Sequence, residues 1–509
     1  MDVRIGLGLL LALATWAALR MLVGAALLGR PGRYRLTALA LDMVAPVLGF
    51  LLFTLGTARP IVAGLGVAAL GLGLGVADRV KRAVLDEPVV FADRAELLEV
   101  VRHPRFYIAF VGTGRMVLGT IACVAAVAGL LWAEPPLWHV GTLAQFGLTL
   151  IAAVLGRAAF VVPALTPFVG RIGAFYRELA PSGDPDADGR RFGLLASCII
   201  HATLARVERE GRRQRVWARG LPEWRPGSGP VVLVQGESFV DARDLHPGLA
   251  DAMPHFARLS AEAALAGRLT VPCWGANTIR SELAAVAGIG PDDLGLDRFN
   301  PYEKFAQAPL PSLARAAKAA GAKAIFVHPY ARNFYARDRV MPMLGFDAFI
   351  GDEAFGDAER DGGYVTDAAL ARFAAELIAR EGPNLFLFIV TIENHGPWDG
   401  AHDRVAPASL PVGWDLPDAA AVGRWLRHAQ ATDAMIPVLR AALERASGGW
   451  LGFYGDHQPS IAGPFKGPGA TDRRTSYALW PVGGGAGRRE ELRAEDLPER
   501  LLGLMAGGR

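Results

Sequence analysis

The feature that most constrains this chain is a series of five apolar stretches before residue 165. The first is interrupted only by Arg20 and the second only by Asp42, and the other three carry no charge. A helix needs about 20 apolar residues to cross a bilayer, and these stretches meet or approach that length. They occupy residues 5–29, 36–58, 60–77, 116–133 and 135–156. The sequence therefore predicts a membrane anchor of about five helices over residues 1–165.

Composition excludes several classes of protein. Charged residues make up 20% of the 509 residues, below the roughly 25% of an average soluble domain, which agrees with a chain partly in lipid. The formal net charge of +3 is too small to indicate nucleic-acid binding. The three cysteines, at 123, 198 and 273, form no CxxC pair, so neither a disulfide framework nor a zinc knuckle is expected.

The distribution of basic residues bears on the orientation of the anchor in the membrane but leaves it open. Basic residues follow the first and third apolar stretches, and the positive-inside rule would place both loops in the cytoplasm. With five spans, the C-terminal part would then be cytoplasmic as well. The basic residues concerned are Arg30, Arg33, Arg35, Arg79, Lys81 and Arg82.

Beyond the anchor, residues 166–228 read as a polar, arginine-rich linker with juxtamembrane helices, and residues 229–509 read as an α/β domain. Apolar runs at 231–234, 324–328, 385–392 and 450–454 alternate with amphipathic segments such as 311–320 and 366–380. Continuous apolar strands alternating with helices predict a mainly parallel sheet covered by helices on both faces.

Polar residues follow each of the four predicted strands. Glu237 comes after the first strand, His328 after the second, and Asp456 and His457 after the fourth, while the third runs into a Glu-Asn-His segment at 393–395. Ligands of parallel sheets bind at these carboxyl ends. Carboxylate and imidazole donors without a thiolate suit one divalent ion, Mn²⁺, Mg²⁺ or Zn²⁺, acting on an oxyanion.

The segment 275–282 offers hydroxyl groups ahead of a predicted helix at 282–287. Thr278 and Ser281 are the candidates, and a hydroxyl near a helix start meets unpaired N–H groups that can bind a phosphate. A free hydroxyl is a poor nucleophile at neutral pH unless a base or a metal activates it. On local sequence alone, an ordinary N-terminal helix residue is the favoured interpretation of Thr278.

Six motifs, taken together, resemble the lipoteichoic acid synthase / phosphoglycerol transferase family, in the sulfatase-like branch of the alkaline phosphatase superfamily. The resemblance covers about residues 229–480, and the five-helix anchor also matches the family layout. The motifs are 232–239 (VLVQGESF), 275–282 (GANTIRSE), 328–339 (HPYARNFYARDR), 344–347 (LGFD), 393–398 (ENHGPW) and 454–459 (YGDHQP).

The resemblance implies roles for individual residues. It makes Thr278 the nucleophile and Glu237, Asp456 and His457 the ligands of one divalent ion, first of all Mn²⁺, with the Thr278 hydroxyl completing the coordination. His395 and Arg337 match residues that contact the phosphate or the glycerol, and Tyr335 stands where the family often has an aromatic side chain. The chain departs from the family at Cys273-Trp274, ahead of the nucleophile, which concerns the donor headgroup and the acceptor more than the metal chemistry.

The resemblance also implies an activity and a location. The expected reaction moves phosphoglycerol from phosphatidylglycerol, or a related phospholipid, to a glycan or polymer. As in the family, we expect a multi-pass protein of the inner (cytoplasmic) membrane whose catalytic domain is extracytoplasmic. The positive-inside rule indicates the opposite, but it is least reliable for a long loop of mixed charge such as the third. A phosphoethanolamine transferase or a sulfatase-like phosphodiesterase remains an alternative, although no Cys/Ser-x-Pro-x-Arg pattern lies near Thr278. A degenerate membrane-bound binding or regulatory protein is disfavoured because nucleophile and ligands occur together.

Overall fold

A computed structural model describes residues 2–25, 35–96, 113–165, 169–400, 406–467 and 472–507 of the chain. The chain divides into two compact units, Met1–Glu210 and Gly211–Arg509. The boundaries expected at residues 165 and 228 stay a prediction. Arg30 and Arg33, which entered the orientation argument, lie outside the described residues.

Three helices of the first unit are long and apolar enough to cross a membrane: α1 (Val3–Leu22), α2 (Arg35–Thr57) and α3 (Pro60–Leu85). They confirm the first three of the five predicted stretches as span-length helices. The other two stretches form α4 (Thr113–Ala133) and α5 (Thr142–Leu165). Among the described residues their apolar parts, 117–133 and 143–155, are shorter than the span criterion, so their crossing stays a prediction.

The isolated charges of α1 and α2 neutralise each other inside the unit. Arg20 and Asp42 are both buried, and their side chains form an ion pair of 2.7 Å. The indole of Trp16 donates to the same carboxylate at 2.8 Å, and the N–H of Ala196 donates to its other oxygen at 3.0 Å. Ionisable groups in apolar helices are stable when they are paired in this way.

Three further helices occupy the arginine-rich segment. They are α6 (Val169–Glu178), α7 (Pro185–Phe192) and α8 (Leu194–Arg219). The carboxylate of Asp184 caps α7 by accepting the N–H of Ala187 at 2.8 Å. Juxtamembrane helices were expected in this segment.

A mixed sheet dominates the second unit. Its nine strands within the described residues are β1 (Val231–Gly236), β2 (Leu265–Thr270), β3 (Lys323–Val327), β4 (Ala348–Ile350), β7 (Leu385–Val390), β8 (Trp450–Gly455), β9 (Thr475–Pro481), β10 (Arg488–Arg489) and β11 (Leu492–Arg493), while β5 (Arg360–Asp361) and β6 (Tyr364–Val365) form a separate hairpin. The nine strands pair in the order β10-β2-β9-β8-β1-β7-β3-β4, with β11 also beside β2. The five strands from β8 to β4 run parallel, and β9 is antiparallel to both of its neighbours.

Helices cover both faces of this sheet. Side chains of β1 alternate between two apolar cores: Val232 and Val234 belong to one, Val231 and Leu233 to the other. The first core includes α9 (Pro254–Glu262), α14 (Asp367–Glu381) and α15 (Ala419–Arg445). The second core includes α10 (Thr278–Ala287), α12 (Leu313–Ala319), α13 (Arg337–Leu344) and α16 (Leu497–Gly507), and the short α11 (Pro291–Leu294) contributes Leu294. The predicted α/β architecture is confirmed.

Candidate active site

Two neighbouring parallel strands bring the predicted ligands together. β1 and β8 pair in parallel with Gly236 opposite Gly455. Glu237 and Asp456 are the next residue of each strand, so their side chains leave the sheet at the same edge. Glycine is required at 455, because a Cβ there would lie 1.8 Å from the carbonyl oxygen of Phe239. The tight packing of this edge therefore fixes where the two carboxylates stand.

Glu237, Asp456 and His457 form one buried cluster. One ligand atom from each lies within 4.8 Å of the other two. His457 Nε2 is 3.6 Å from Glu237 Oε1 and 3.4 Å from Asp456 Oδ2. These separations are those of donors around a common centre, and they exceed direct hydrogen-bond lengths.

Hydrogen bonds orient the cluster for a cation. The N–H groups of Ser238 and His457 donate to Asp456 Oδ1 at 2.8 and 2.7 Å, while Asp456 Oδ2 is buried and accepts no hydrogen bond from the described part of the chain. His457 Nδ1 lies 3.1 Å from the carbonyl of Gln458 and must donate its proton there, which leaves the lone pair on Nε2. A free carboxylate oxygen and a free imidazole nitrogen fit a divalent metal ion.

Electrostatics agree with this fit. Burial and the charge of Asp456 raise the pKa of the Glu237 carboxyl, to about 8. Burial raises the pKa of Asp456 as well. Two buried carboxylates repel each other and lose hydration, and a bound cation would offset both costs.

Thr278 is the first residue of α10 and lies against this cluster. Asn277 precedes it in the left-handed region at φ 68°, which turns the chain into the helix. The Thr278 Oγ1 atom lies 3.4 Å from Glu237 Oε2. The sequence predicts this helix from residue 282, and the structure starts it at the candidate nucleophile, so Thr278 stands at the positive end of the helix, which attracts an anion.

The rival hydroxyl, Ser281, has another task. Its Oγ donates to the carbonyl of Asp456 at 2.6 Å and lies 3.3 Å from Cys273 Sγ. Ser281 is wholly buried, so its hydroxyl fixes the ligand loop to α10. Of the two candidates, Thr278 alone faces the ligand cluster.

The predicted phosphate-binding residues lie around α10 and the strand ends. Arg337 is buried and pairs with Glu282 of α10 at 2.9 Å, but its Nη1 has no hydrogen-bond partner within the described residues. The Tyr335 ring lies 5.6 Å from the Arg337 guanidinium carbon. His395 is half-buried with Nδ1 2.8 Å from the Gly396 carbonyl, and the partial loss of hydration lowers its pKa. Their contact with a substrate stays a prediction.

Two supporting residues were missed by sequence reasoning. Glu282 binds both Arg337 and the Tyr302 hydroxyl, the latter at 2.8 Å, and so joins the helix of Thr278 to the arginine. Ser238 orients both carboxylates, because its hydroxyl donates to Glu237 Oε1 at 2.9 Å while its N–H donates to Asp456. Both lie inside the motifs described above, and the available signal was their position: Glu282 follows Thr278 by four residues, one helical turn, and Ser238 is next to Glu237.

Comparison with known proteins agrees with this architecture. Residues 230–505, more than half of the chain, match the sulfatase family. The capsular polysaccharide biosynthesis protein RkpI of Rhizobium meliloti is 29% identical over 473 residues, which cover 88% of this chain and 82% of that protein. The phosphoethanolamine transferase EptA of Neisseria meningitidis shares the fold with a TM-score of 0.53 at 15% identity, over 98% of this chain and 95% of EptA. The lipoteichoic acid synthase LtaP of Listeria monocytogenes has a TM-score of 0.45 at 19% identity, over 54% of this chain and 72% of LtaP. The chain therefore belongs to the sulfatase family of the alkaline phosphatase superfamily, with apolar helices of membrane-spanning length ahead of the sulfatase domain.

Proposed function

We propose that this protein transfers phosphoglycerol from phosphatidylglycerol, or a related phospholipid, to an extracytoplasmic glycan through a phospho-threonine at Thr278. The observation that carries the proposal is the position of the Thr278 hydroxyl, 3.4 Å from Glu237 and at the start of α10. The carboxyl ends of β1 and β8 bring together a nucleophile, three ligand side chains and a helix N-terminus. Phosphoryl transfer needs this arrangement.

Glu237, Asp456 and His457 would hold one divalent ion, which we expect to be Mn²⁺. When bound there, the ion lowers the pKa of a nearby hydroxyl and offsets negative charge on the phosphoryl oxygens. The protein supplies the rest: Thr278 Oγ1 gives up its proton and attacks phosphorus, the bond to the diacylglycerol oxygen breaks, and that oxygen takes up a proton. An acceptor hydroxyl then gives up its proton and attacks the same phosphorus, the bond from phosphorus to Thr278 Oγ1 breaks, and Oγ1 is protonated again.

Arg337 and the first turn of α10 would hold the phosphoryl oxygens. The unpartnered Nη1 of Arg337 is a buried donor, and guanidinium groups bind phosphate oxygens through such N–H groups. Glu282 keeps the guanidinium in place from the helix that carries Thr278. Arg337 and the first turn of α10 would therefore keep their relative positions while the phosphoryl group passes from the donor to Thr278 and then to the acceptor.

A glycan acceptor is supported by the relative RkpI, whose name assigns it to capsular polysaccharide biosynthesis. We propose an extracytoplasmic catalytic domain in a multi-pass inner-membrane protein for the same reason, since such an acceptor would be reached there. Phosphoethanolamine transfer is the second candidate, because the fold of EptA matches this chain over nearly its whole length. A hydrolase is less well supported, because it would need no anchor beside a lipid donor.

Trapping the covalent enzyme tests the proposal. The full chain in detergent is incubated without acceptor, with labelled phosphatidylglycerol in one sample and phosphatidylethanolamine in the other. The protein is then digested, and the masses of its peptides are measured by mass spectrometry. A glycerol phosphate adduct on the peptide containing Thr278 is the expected result. An ethanolamine phosphate adduct would select the second candidate, and a modification confined to Ser281 or an unmodified enzyme that still turns over would overturn the scheme.

A further inference from the structure

We propose that a second divalent cation binds among Asp361, Glu393 and His428, in a cluster that shares no residue with the first. One ligand atom from each of the three lies within 4.8 Å of the other two, and all three side chains are more than nine-tenths buried. Glu393 Oε1 is 3.4 Å from His428 Nδ1. The spacing resembles that of Glu237, Asp456 and His457, but the residues come from β5, the loop after β7 and the middle of α15.

A third carboxylate increases the negative charge at this place. Asp367, the first residue of α14, is wholly buried, and its N–H donates to Glu393 Oε2. Thr432 donates to Asp367 Oδ2 at 2.6 Å, while Oδ1 has no hydrogen-bond partner within the described residues. The groups that act most strongly on the Asp367 carboxyl are Glu393, Thr432, His428 and Glu237, none of them a lysine or arginine.

Buried carboxylates are stable when a cation or a proton compensates their charge. Two carboxylate ligands, one imidazole and a further buried carboxylate oxygen nearby form an oxygen- and nitrogen-rich donor set without thiolate. Such a set suits Zn²⁺ or Mn²⁺. Without a metal ion, these carboxylates and the imidazole would have to share protons. Metal stoichiometry distinguishes a bound ion from shared protons.

The cluster has a position from which it could stabilise the active site. Glu393 is two residues before His395, the predicted phosphate-binding residue. An ion held by Asp361 and His428 as well would cross-link the β5–β6 hairpin, the loop after β7 and α15. We infer that the second ion fixes the loop carrying His395, while the first serves the nucleophile.

Metal stoichiometry tests this inference in the full chain in detergent, stripped with chelator and equilibrated with Zn²⁺ or Mn²⁺ alone. We expect about two equivalents per chain in the wild type and about one in His428→Gln or in Asp456→Asn, because each substitution removes a ligand of a different site. The exposed His255 provides a matched control, and His255→Gln should keep both equivalents. The melting temperature of stripped Asp456→Asn should rise on addition of Zn²⁺, and the rise should be lost in the double variant with His428→Gln.

One equivalent in the wild type, with none in Asp456→Asn, would overturn the second site and identify the cluster as a proton-sharing network. This result would leave the proposed function intact, because that depends on the first cluster and on the adduct at Thr278. If His428→Gln fails to fold, the comparison of wild type with Asp456→Asn decides the question without it.

Discussion

Thr278 Oγ1 lies 3.4 Å from Glu237 Oε2, while three residues later Ser281 Oγ donates to the Asp456 carbonyl at 2.6 Å. One turn of α10 thus separates a hydroxyl that faces the ligand cluster from one that supports it. The two are alike in chemistry and differ in their partners. Their substitution should therefore produce opposite patterns of damage.

Thr278→Ala should abolish turnover and leave the melting temperature nearly unchanged, because the hydrogen bond that its hydroxyl donates to Glu237 Oε2 is long, at 3.4 Å. Ser281→Ala should lower the free energy of unfolding by about 1–3 kcal/mol, since it leaves the buried Asp456 carbonyl with the weaker Cys273 thiol donor at 3.7 Å, and should keep part of the activity. Turnover and thermal unfolding of both variants check the pattern. Thr278→Ser, which keeps a hydroxyl, serves as the matched control and should retain some activity; equal loss of activity in Thr278→Ala and Ser281→Ala would contradict the assignment.

Asp456→Asn should weaken metal binding at the first site by at least about tenfold and reduce turnover accordingly, because the amide removes a charged ligand oxygen. The measurement is the Mn²⁺ concentration needed for half-maximal activity. Asp357→Asn makes the same chemical change at an exposed position and should leave this concentration unchanged. Full activity and full metal content in Asp456→Asn would show that the cluster holds no catalytic ion.

The first cluster could be predicted from sequence because Glu237, Asp456 and His457 directly follow strands that can be recognised locally. β1, β3, β7 and β8 are nearly continuous apolar runs, and the residues after them necessarily meet at one edge of a parallel sheet. β2 and β9 carry Arg268 and Thr475 and lie at the antiparallel side, so they show no such pattern and were not predicted. Local pattern thus identified the parallel part of the sheet and missed the mixed part.

The second cluster could not be predicted in this way. Asp361 lies in a two-residue strand and His428 on a long helix, 67 positions apart in the chain, and neither belongs to a recognisable motif. Only the packing of α14 and α15 on one face of the sheet brings them to Glu393. The partners of Arg337 were unpredictable for the same reason, because Glu282 reaches it across 55 residues.

Acid should destabilise the second unit through His328. This imidazole is buried with Nδ1 3.0 Å from the Val390 carbonyl, and burial together with the charge of Arg337 lowers its pKa well below the ordinary 6.5. Below pH 6.5 the unfolded chain binds a proton that the folded chain does not, so the free energy of unfolding falls as pH falls. The loss attributable to this group approaches about 1.4 kcal/mol per pH unit.

Denaturant unfolding between pH 7 and pH 5 measures the effect as the difference between wild type and His328→Gln. The variant cannot titrate here, so its stability should decline less steeply with acid. The exposed His255 again supplies the control, and His255→Gln should follow the wild-type slope. Parallel slopes in wild type and His328→Gln would mean that His328 takes up a proton as readily in the folded as in the unfolded chain.

A reporter active only outside the cytoplasm, fused after Arg509, should be active if the catalytic domain is extracytoplasmic. With five spans, the same fusion placed after Leu85 should also be active, against the cytoplasmic assignment by Lys81 and Arg82, because the two predicted spans that follow return the chain to the same side. An inactive reporter at Arg509, with a cytoplasmic reporter active there, would favour the charge rule and remove the proposed extracytoplasmic acceptor.

Arg337 and Glu282 should be strongly coupled in stability. Both side chains are almost wholly buried, and removing one leaves the other charge without compensation, which typically costs about 3–5 kcal/mol. Arg337→Met and Glu282→Leu should each approach that cost, whereas the double variant should lose much less than the sum, because the apolar pair leaves no buried charge. Urea unfolding of the four proteins gives the coupling energy.

Activity separates the two roles of the arginine: the double variant should recover stability but not turnover, because the buried Nη1 that would bind the phosphate is absent. If the double variant recovered both stability and turnover, Arg337 would have a structural role alone. If the losses of stability in the single variants added up in the double variant, the two side chains would not be coupled.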